Sequence, residues 1–467
     1  MAFSLRRGCV ALLPFVLALA LAPAVFAQSG STEERVRDLE RRVEQLKAEI
    51  AAMKSGGASA DADRISELER RLEVLAGEIE KLKIGEAAAA ADQSTNGMGP
   101  AASKIYRTER GLSVGGYGEA IYQRIDEQSE GEERAAAKAE PGEEEEEGGD
   151  RFDLRRAVLY FGYKWNDRIL FNSEVEYEHA GEEVSVEFAY LDFLWRPQLN
   201  FRAGLLLMPV GFLNELHEPT VFLGANRPDV ETVILPTTWE ENGFGLFGSA
   251  GPFTYRTYIV NGLDAAGFSD EGLRGGRQGG SEAKAEDLAW VGRLDYAGVP
   301  GLLVGGSAYR GKSGQGLETA AGRKIGVGTT IVEGHLEWRW RGLEFRALGA
   351  RAGLDDVAKL NAALDLDGGE SIGERLKGFY VQLGYDLLAG RAAGKALIPY
   401  ARWESYNTQD AVPAGFSANP DNDFEILTLG VAYKPIEQVI FKVDYQNVDN
   451  EAGTGADRFN VLLGYVF

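Results

Sequence analysis

The chain has 467 residues, with 49 Lys and Arg against 72 Asp and Glu, for a formal net charge of −23. That balance excludes a nucleic-acid partner, which needs a clustered basic face. Charged residues make up 26% and hydrophobic ones 44%, which excludes neither a soluble domain nor a membrane barrel, whose alternating strands average to neutral hydropathy.

Residues 1–27 have the layout of a secretory signal peptide. Arg6 and Arg7 precede an apolar run, CVALLPFVLALALA, from Cys9 to Ala22. PAVFAQ then places the small residues Val25 and Ala27 ahead of a cut before Gln28. The run is short for a membrane span; the alternative is a buried N-terminal helix. The one cysteine, Cys9, falls in this segment, so the mature chain is expected to carry neither thiol nor disulfide. No later segment has the long uncharged apolar run of a transmembrane helix.

Residues 28–90 read as coiled coil. Val36, Leu39, Val43, Leu46, Ile50 and Met53 are spaced by threes and fours, as are Ile65, Leu68, Leu72, Leu75, Ile79 and Leu82. Both sets are heptad a/d stripes, separated where SGGASADAD breaks the register. Each segment would be about 35 Å long at 1.5 Å per residue. So narrow a stripe on so charged a helix suits self-association better than burial in a core. β-Branched residues at most a positions and Leu at most d positions lean towards two strands. Residues 91–111 read as a linker, rich in Ala and then containing Gly, Ser and Asn.

From Leu112 to Phe467 the period becomes two. In RRAVLYFGYKW, Ala157, Leu159, Phe161, Tyr163 and Trp165 share one face, and Arg156, Val158, Tyr160, Gly162 and Lys164 the other. In ILFNSEVEYE, Phe171, Val175 and Tyr177 oppose Asn172, Glu174, Glu176 and Glu178. Sixteen such segments start near 112, 152, 168, 184, 199, 243, 253, 287, 302, 327, 343, 377, 396, 425, 439 and 458. Short connections, such as Asn166-Asp167, Arg196-Pro197, Gly251-Pro252 and Arg341-Gly342, alternate with long ones, such as 126–151, 208–242 and 262–286. Greasy outside, polar inside, even in number and asymmetric in loop length, these segments predict an all-β transmembrane barrel of the outer-membrane type. Trp165, Trp195, Phe253, Trp338, Trp340, Tyr433 and Phe441 lie beside the short turns, as an interfacial aromatic girdle would.

The long connections differ in character. Residues 126–150 hold twelve acidic residues against Arg134 and Lys138. That composition reads as a solvated, self-repelling loop; cation binding or lipopolysaccharide bridging is the alternative. Residues 208–242, by contrast, are rich in apolar and aromatic residues and stiffened by Pro209, Pro219, Pro228 and Pro236. This loop is expected to fold into the barrel and set the pore width, with Glu218, Arg227, Asp229 and Glu231 nearby. The alternative is an outward loop packed on a neighbouring subunit.

If the polar parity lines the pore, it carries Arg156, Arg202, Arg256, Arg293, Arg346 and Arg402 together with Glu174, Glu176, Asp192 and Glu337. Opposed charges there would impose a transverse field that favours polar solutes over apolar ones, or would simply pair across strands. GSAYRGKS, Gly306 to Ser313, fits the phosphate-loop pattern. That loop needs a following helix to present its N–H groups to phosphate, and no amphipathic helix pattern follows. His179, His217 and His335 lack metal-ligand spacing beyond carboxylates that are abundant everywhere, and no G-x-S-x-G elbow occurs. The sequence points to no enzyme, no metal and no cofactor.

GYGEAIYQ, RRAVLYFGYKWNDRILFNSEVEYE, FAYLDFLW and FRAGLLLMPVGF, with the strand count, make Leu112 to Phe467 resemble the phosphate-selective porins of the O/P type. The resemblance implies a homotrimeric outer-membrane channel, in lipid and lipopolysaccharide, passing small inorganic or organic ions. Coiled-coil extensions occur on related dicarboxylate-type porins, which would place residues 28–90 in the periplasm. There they would support the trimer, or tether the outer membrane to peptidoglycan with the barrel as anchor. The terminal strand ending in Phe467 is similar to the insertion signal of such barrels.

Overall fold

The computed structural model describes residues 41–47, 50, 68, 95–126, 149–391 and 394–467. The signal segment, most of both heptad stripes and residues 127–148 of the acidic loop lie outside the described residues. The chain divides into two compact units, Met1–Lys83 and Ile84–Phe467. In the first, residues 41–47 are helical, and Lys47 pairs with Glu44 at 2.9 Å on its surface.

In the second unit sixteen antiparallel strands close into one barrel. They are β1 (Gly111–Ile125), β2 (Gly149–Asn166), β3 (Ile169–Glu178), β4 (Glu183–Arg196), β5 (Leu199–Leu207), β6 (Glu240–Ala250), β7 (Phe253–Asn261) and β8 (Leu288–Val299). The rest are β9 (Leu302–Lys312), β10 (Gly328–Trp340), β11 (Leu343–Leu354), β12 (Arg375–Tyr385), β13 (Ala396–Ala411), β14 (Asp423–Ile436), β15 (Val439–Asn450) and β16 (Arg458–Val466). Each strand pairs with its neighbours in sequence. The seam joins β1 to β16, from Tyr117↔Val466 to Ile125↔Arg458. Phe467 locks its end, donating its N–H to Gly116 O at 2.9 Å and accepting from Gly116 N–H at 3.1 Å.

The two-residue period decides which side each residue takes. Phe161, Tyr163 and Trp165 are exposed on the outside, whereas Val158, Tyr160 and Lys164 are buried inside. Closure of the sheet leaves no edge strand unpaired, and the exterior is apolar, as a lipid environment requires. Trp165, Trp195, Phe253, Trp338, Trp340, Tyr433 and Phe441 are all exposed beside short turns, and Trp338 stacks on Trp340 at 6.2 Å. Gly301 turns the β8–β9 connection at φ 79°, where a Cβ would collide with the Arg339 carbonyl.

Two connections break the alternation of short and long. At the short-turn end ten residues, 386–395, separate β12 from β13, whereas β3 and β4, at the opposite end, are joined by a single turn at His179–Gly181. Helix α1 (Lys104–Arg107) precedes β1 and helix α2 (Val357–Leu364) lies between β11 and β12; period counting pointed to neither. The phosphate-loop pattern falls on β9 and its end. Ser313 there bonds Thr329 Oγ1 at 2.8 Å, and the connection to β10 contains no helix. Among the described residues no helix is long and apolar enough to cross a membrane.

Candidate functional site

The barrel interior is occupied by two segments of the chain itself. The first is the β5–β6 connection, residues 208–239. Its neck is tied by Asn214, whose Nδ2 donates to Met208 O at 2.7 Å and Trp239 O at 2.8 Å, while its Oδ1 accepts Trp239 N–H at 2.7 Å. Glu231 pins the fold of the loop. Its carboxylate accepts Phe212 and Leu213 N–H, both at 2.8 Å, and the Tyr380 hydroxyl at 2.6 Å. Phe212, Leu213, Val230, Ile234 and Trp239 are buried against inward Tyr309, Leu348 and Tyr380. The interior therefore has an apolar layer that the polar-parity reading lacked. Its signal was already present in the apolar excess of 208–242 and in the inward tyrosines.

The inward cations grip this loop by its carbonyls. Arg293 Nη1 donates to Gly211 O, Arg346 Nη2 to Val221 O at 3.1 Å, and Arg402 Nη1 to Asn226 O at 3.4 Å. Lys434 Nζ reaches Thr220 O at 2.8 Å. Lys442 Nζ reaches Gly224 O at 2.8 Å and sits 3.6 Å over the Phe222 ring. Inward carboxylates hold its amides: Ala225 N–H donates to Asp444 at 2.7 Å and Val230 N–H to Glu404 at 3.3 Å. Charges that sequence places on a pore wall thus double as the fastenings of an internal loop. Carbonyls held by ammonium and guanidinium form the stronger, charge-assisted class of hydrogen bond.

The second segment is 95–107, within the stretch read as linker. It enters the short-turn end of the barrel. Ala101 and Ala102 N–H donate to Glu218 Oε1 at 2.8 and 3.2 Å, and Asn172 Nδ2 donates to Ala102 O at 3.1 Å. Ile105 is buried, and a Cβ on Gly162 would clash with it at 2.7 Å; the glycine makes room for the segment. Tyr106 donates its hydroxyl to Asp192 at 2.7 Å. Residues 91–111 are therefore in part a structured lumenal element.

The remaining charges pair among themselves. Arg202, 2% exposed, meets Asp192 at 2.7 Å and Tyr106 Oη at 2.7 Å. Its guanidinium lies 4.0 Å over the Tyr190 ring. Arg156 lies 3.2 Å from Glu176 and 3.7 Å from Glu119. Arg256 bridges Glu215 and Asp295, both at 2.9 Å; Arg293 shares Asp295 at 2.9 Å. Glu337 holds Arg346 at 2.5 Å and Arg339 at 3.2 Å. His217 meets Glu174 at 3.1 Å, and Asp229 faces Arg458 at 3.6 Å. Arg227 Nη2, in contrast, makes no hydrogen bond with any described residue. His335 is buried between Glu333 and Asp295, each at 2.9 Å, with Phe212 against its ring at 4.8 Å. Among the described residues no group of His, Cys, Asp and Glu has the placement to hold a metal ion.

A closed sixteen-strand barrel, apolar outside and charged within, defines a porin-like outer-membrane β-barrel protein. The chain belongs to the same family as a protein of Aquifex aeolicus (strain VF5) described as "Uncharacterized protein". The two are 35% identical over 390 residues, covering 79% of this chain and 83% of the relative. No family model matches the sequence. Solved structures with similarity include Salmonella typhi OmpF in complex with daunomycin, at 12% identity over 78% of this chain and 99% of that one, with a TM-score of 0.48. The anion-selective porin of Comamonas acidovorans gives 10%, 77%, 100% and 0.48. The Acinetobacter baumannii outer-membrane channel DcaP gives 12%, 76%, 97% and 0.47.

Proposed function

We propose that the protein is an outer-membrane diffusion channel for small hydrophilic solutes and ions, anions such as phosphate included. The observation that carries this reading is the inward face, where cations and carboxylates together fasten an internal loop to the wall. A barrel that served only as an anchor has no need of a charged interior built around a loop. Residues 208–239 and 95–107 take up space inside the barrel, which favours small solutes over large ones. The motif resemblance to the O/P porins supports the channel reading and a homotrimer in lipid and lipopolysaccharide, with residues 1–27 removed on export.

The test is conductance and reversal potential of the purified protein in a planar bilayer across a salt gradient, with and without phosphate. The expected result is small unitary currents that rise when residues 214–232 are deleted. An unchanged conductance in the deletion would remove the loop from the conducting path. An anion-selective current blocked by phosphate would assign dominance to the arginines, and a phosphate-indifferent cation current would assign it to the carboxylates.

The heptad stripes of 28–90 favour a second reading, a periplasmic coiled coil that ties the envelope layers together with the barrel as anchor. A chain lacking residues 28–94 separates the two: loss of envelope integrity with normal conductance would support tethering.

A further inference from the structure

At the long-loop end the apolar exterior of the barrel gives way to charge, and on one side that charge is positive. Arg310 and Lys312 on β9, Arg351 on β11, and Arg375 and Lys377 on β12 follow the outward parity of their strands, since Tyr309, Ala350, Ala352 and Leu376 between and beside them are buried inside. Register places Arg351 directly opposite Lys377, and Arg375 opposite Gly353. Residues so paired have Cβ atoms about 5 Å apart, and like charges there repel. Asp410 pairs with Arg375 and, at 2.5 Å, with Lys377; Arg351 makes no ion pair with any described residue. On β14 and β15 the same end carries Glu425 opposite Asp449, and Arg124 on β1 is offset by Asp126 at 3.2 Å. The excess of positive charge therefore lies on the β9–β12 side.

These cations border a notch. Gly353 lies two residues beyond Arg351 on the outward side of β11, and a Cβ there would meet nothing within 4 Å. The space is about 360 Å³, and its lining includes Arg351, Gly353, Asp355, Glu374, Arg375 and Ala411. Asp355 follows the end of β11 and Glu374 precedes β12, so the carboxylates stand on the solvent side and the cations on the membrane side. Beside and below the cations the outward residues are apolar. Val332 on β10, Phe379 on β12 and Trp403 on β13 are exposed, and the Phe379 and Trp403 rings meet edge to face at 5.1 Å. A free anion arriving from water would pass the carboxylates first. A headgroup already in the leaflet reaches the cations from the membrane side.

We propose that Arg351, Arg375 and Lys377, with the notch at Gly353, form a seat on the outer wall for a membrane lipid whose headgroup carries a phosphate monoester. Such a group presents three terminal oxygens and more than one negative charge near neutral pH. That suits one unpaired guanidinium beside two cations sharing a single carboxylate better than a zwitterionic diester does. The acyl chains lie along Val332, Phe379 and Trp403, which face hydrocarbon in any case. A phosphate between Arg351 and Lys377 also offsets the repulsion that register builds into the wall. The lipid touches only the outside of the barrel, so the assignment goes beyond the diffusion reading and does not depend on it.

The experiment is native mass spectrometry of the full-length, detergent-solubilised protein. It is titrated with dioleoyl phosphatidic acid, a monoester, and with dioleoyl phosphatidylcholine, which has the same chains and no net charge, each with and without inorganic phosphate. Two variants are compared, Arg351→Gln and Gly353→Leu. The first removes the unpaired charge. The second keeps every charge and fills the notch; its side chain enters open space, so it serves if the first fails to fold, as judged by heat-modifiable gel mobility. The expected result is saturable binding of phosphatidic acid, about tenfold or more tighter than phosphatidylcholine and weakened about tenfold or more in each folded variant. Absence of saturable binding overturns the proposal. So does equal binding of the two lipids, because the chains alone would then account for it, or phosphatidic acid binding that either folded variant leaves unchanged. Inorganic phosphate that displaces the lipid at equal concentration would mark a free-anion site and overturns the lipid assignment.

Discussion

Glu218 and Ala101 are 117 positions apart, yet the Glu218 carboxylate accepts the Ala101 N–H at 2.8 Å inside the barrel. The contact joins the two segments that occupy the interior, and Ala102 N–H shares the same oxygen at 3.2 Å. Replacing Glu218 by Ala removes the acceptor and leaves two buried amides without partners, a loss of about 1–3 kcal/mol for each group left unsatisfied. The expected outcome is faster trypsin cleavage after Lys104 and Arg107 in Glu218→Ala, with the barrel intact on heat-modifiable gels. Equal cleavage rates would show that the segment is held by other contacts.

The loop is anchored to the wall by its own set of contacts. Phe222 is 4% exposed and lies under Lys442. Phe222→Ala is expected to cost about 3–5 kcal/mol locally, as for other buried Phe truncations, without lowering the melting temperature of the barrel. Because Cys9 is the only cysteine, a single cysteine placed at Asn226 reports the change. Its labelling by a water-soluble maleimide should accelerate in the Phe222→Ala background, and identical rates would contradict loop release.

Arg202 and Asp192 form a desolvated pair, with Asp192 fully buried. Arg202→Met strands the carboxylate and should destabilise by about 3–5 kcal/mol, whereas Arg202→Met with Asp192→Leu should lose much less. Urea unfolding of the two variants in detergent measures the difference. If the double variant is as unstable as the single one, the packing of Arg202 on Tyr190 and Phe247, rather than its charge, is the stabilising contact.

Asp457 closes the β15–β16 connection outside the wall. Burial disfavours its charge, but hydrogen bonds from Tyr445 Oη, Val448 N–H and Asn447 Nδ2 outweigh that and hold its carboxyl below the usual value. A lowered carboxyl stabilises the folded state above its unfolded value, near 3.9, and loses that contribution as pH falls through the folded value. Amide exchange at Val448 should therefore stay slow at pH 5 and accelerate at the acid end relative to Asp457→Asn, which carries no such pH dependence. Parallel pH profiles for the two proteins would refute the assignment.

The wall was legible because barrel strands alternate with a period that a chain of alternating Val, Tyr, Glu and Arg displays directly. All sixteen starts fall near observed strands. The interior was less so. Arg293, Arg346, Arg402 and Lys442 point inward as parity requires, but parity names the side a residue faces and not its partner. Their partners are loop carbonyls, which every residue possesses and no pattern marks. Residues 95–107 were hidden for a related reason. Ala101 and Ala102 fit because they are small, and Ile105 meets a glycine, Gly162, so the segment packs by lacking bulk and shows no periodic stripe.

The seam gives the interior an order of events. Ala101 O and Phe467 O approach the same glycine, Gly115, each just over 3 Å from where a Cβ would stand. The earliest described stretch of this unit thus lies beneath the joint made by the last residue of the chain. Loop 208–239 is fixed at both ends to the rim yet reaches Lys434 and Gly464 near the opposite mouth. Zipping of β1 onto β16 is the step that encloses both. A chain that zips early must thread an occupied cylinder, and one that zips late wraps its wall around contents already in place. The second route needs no threading.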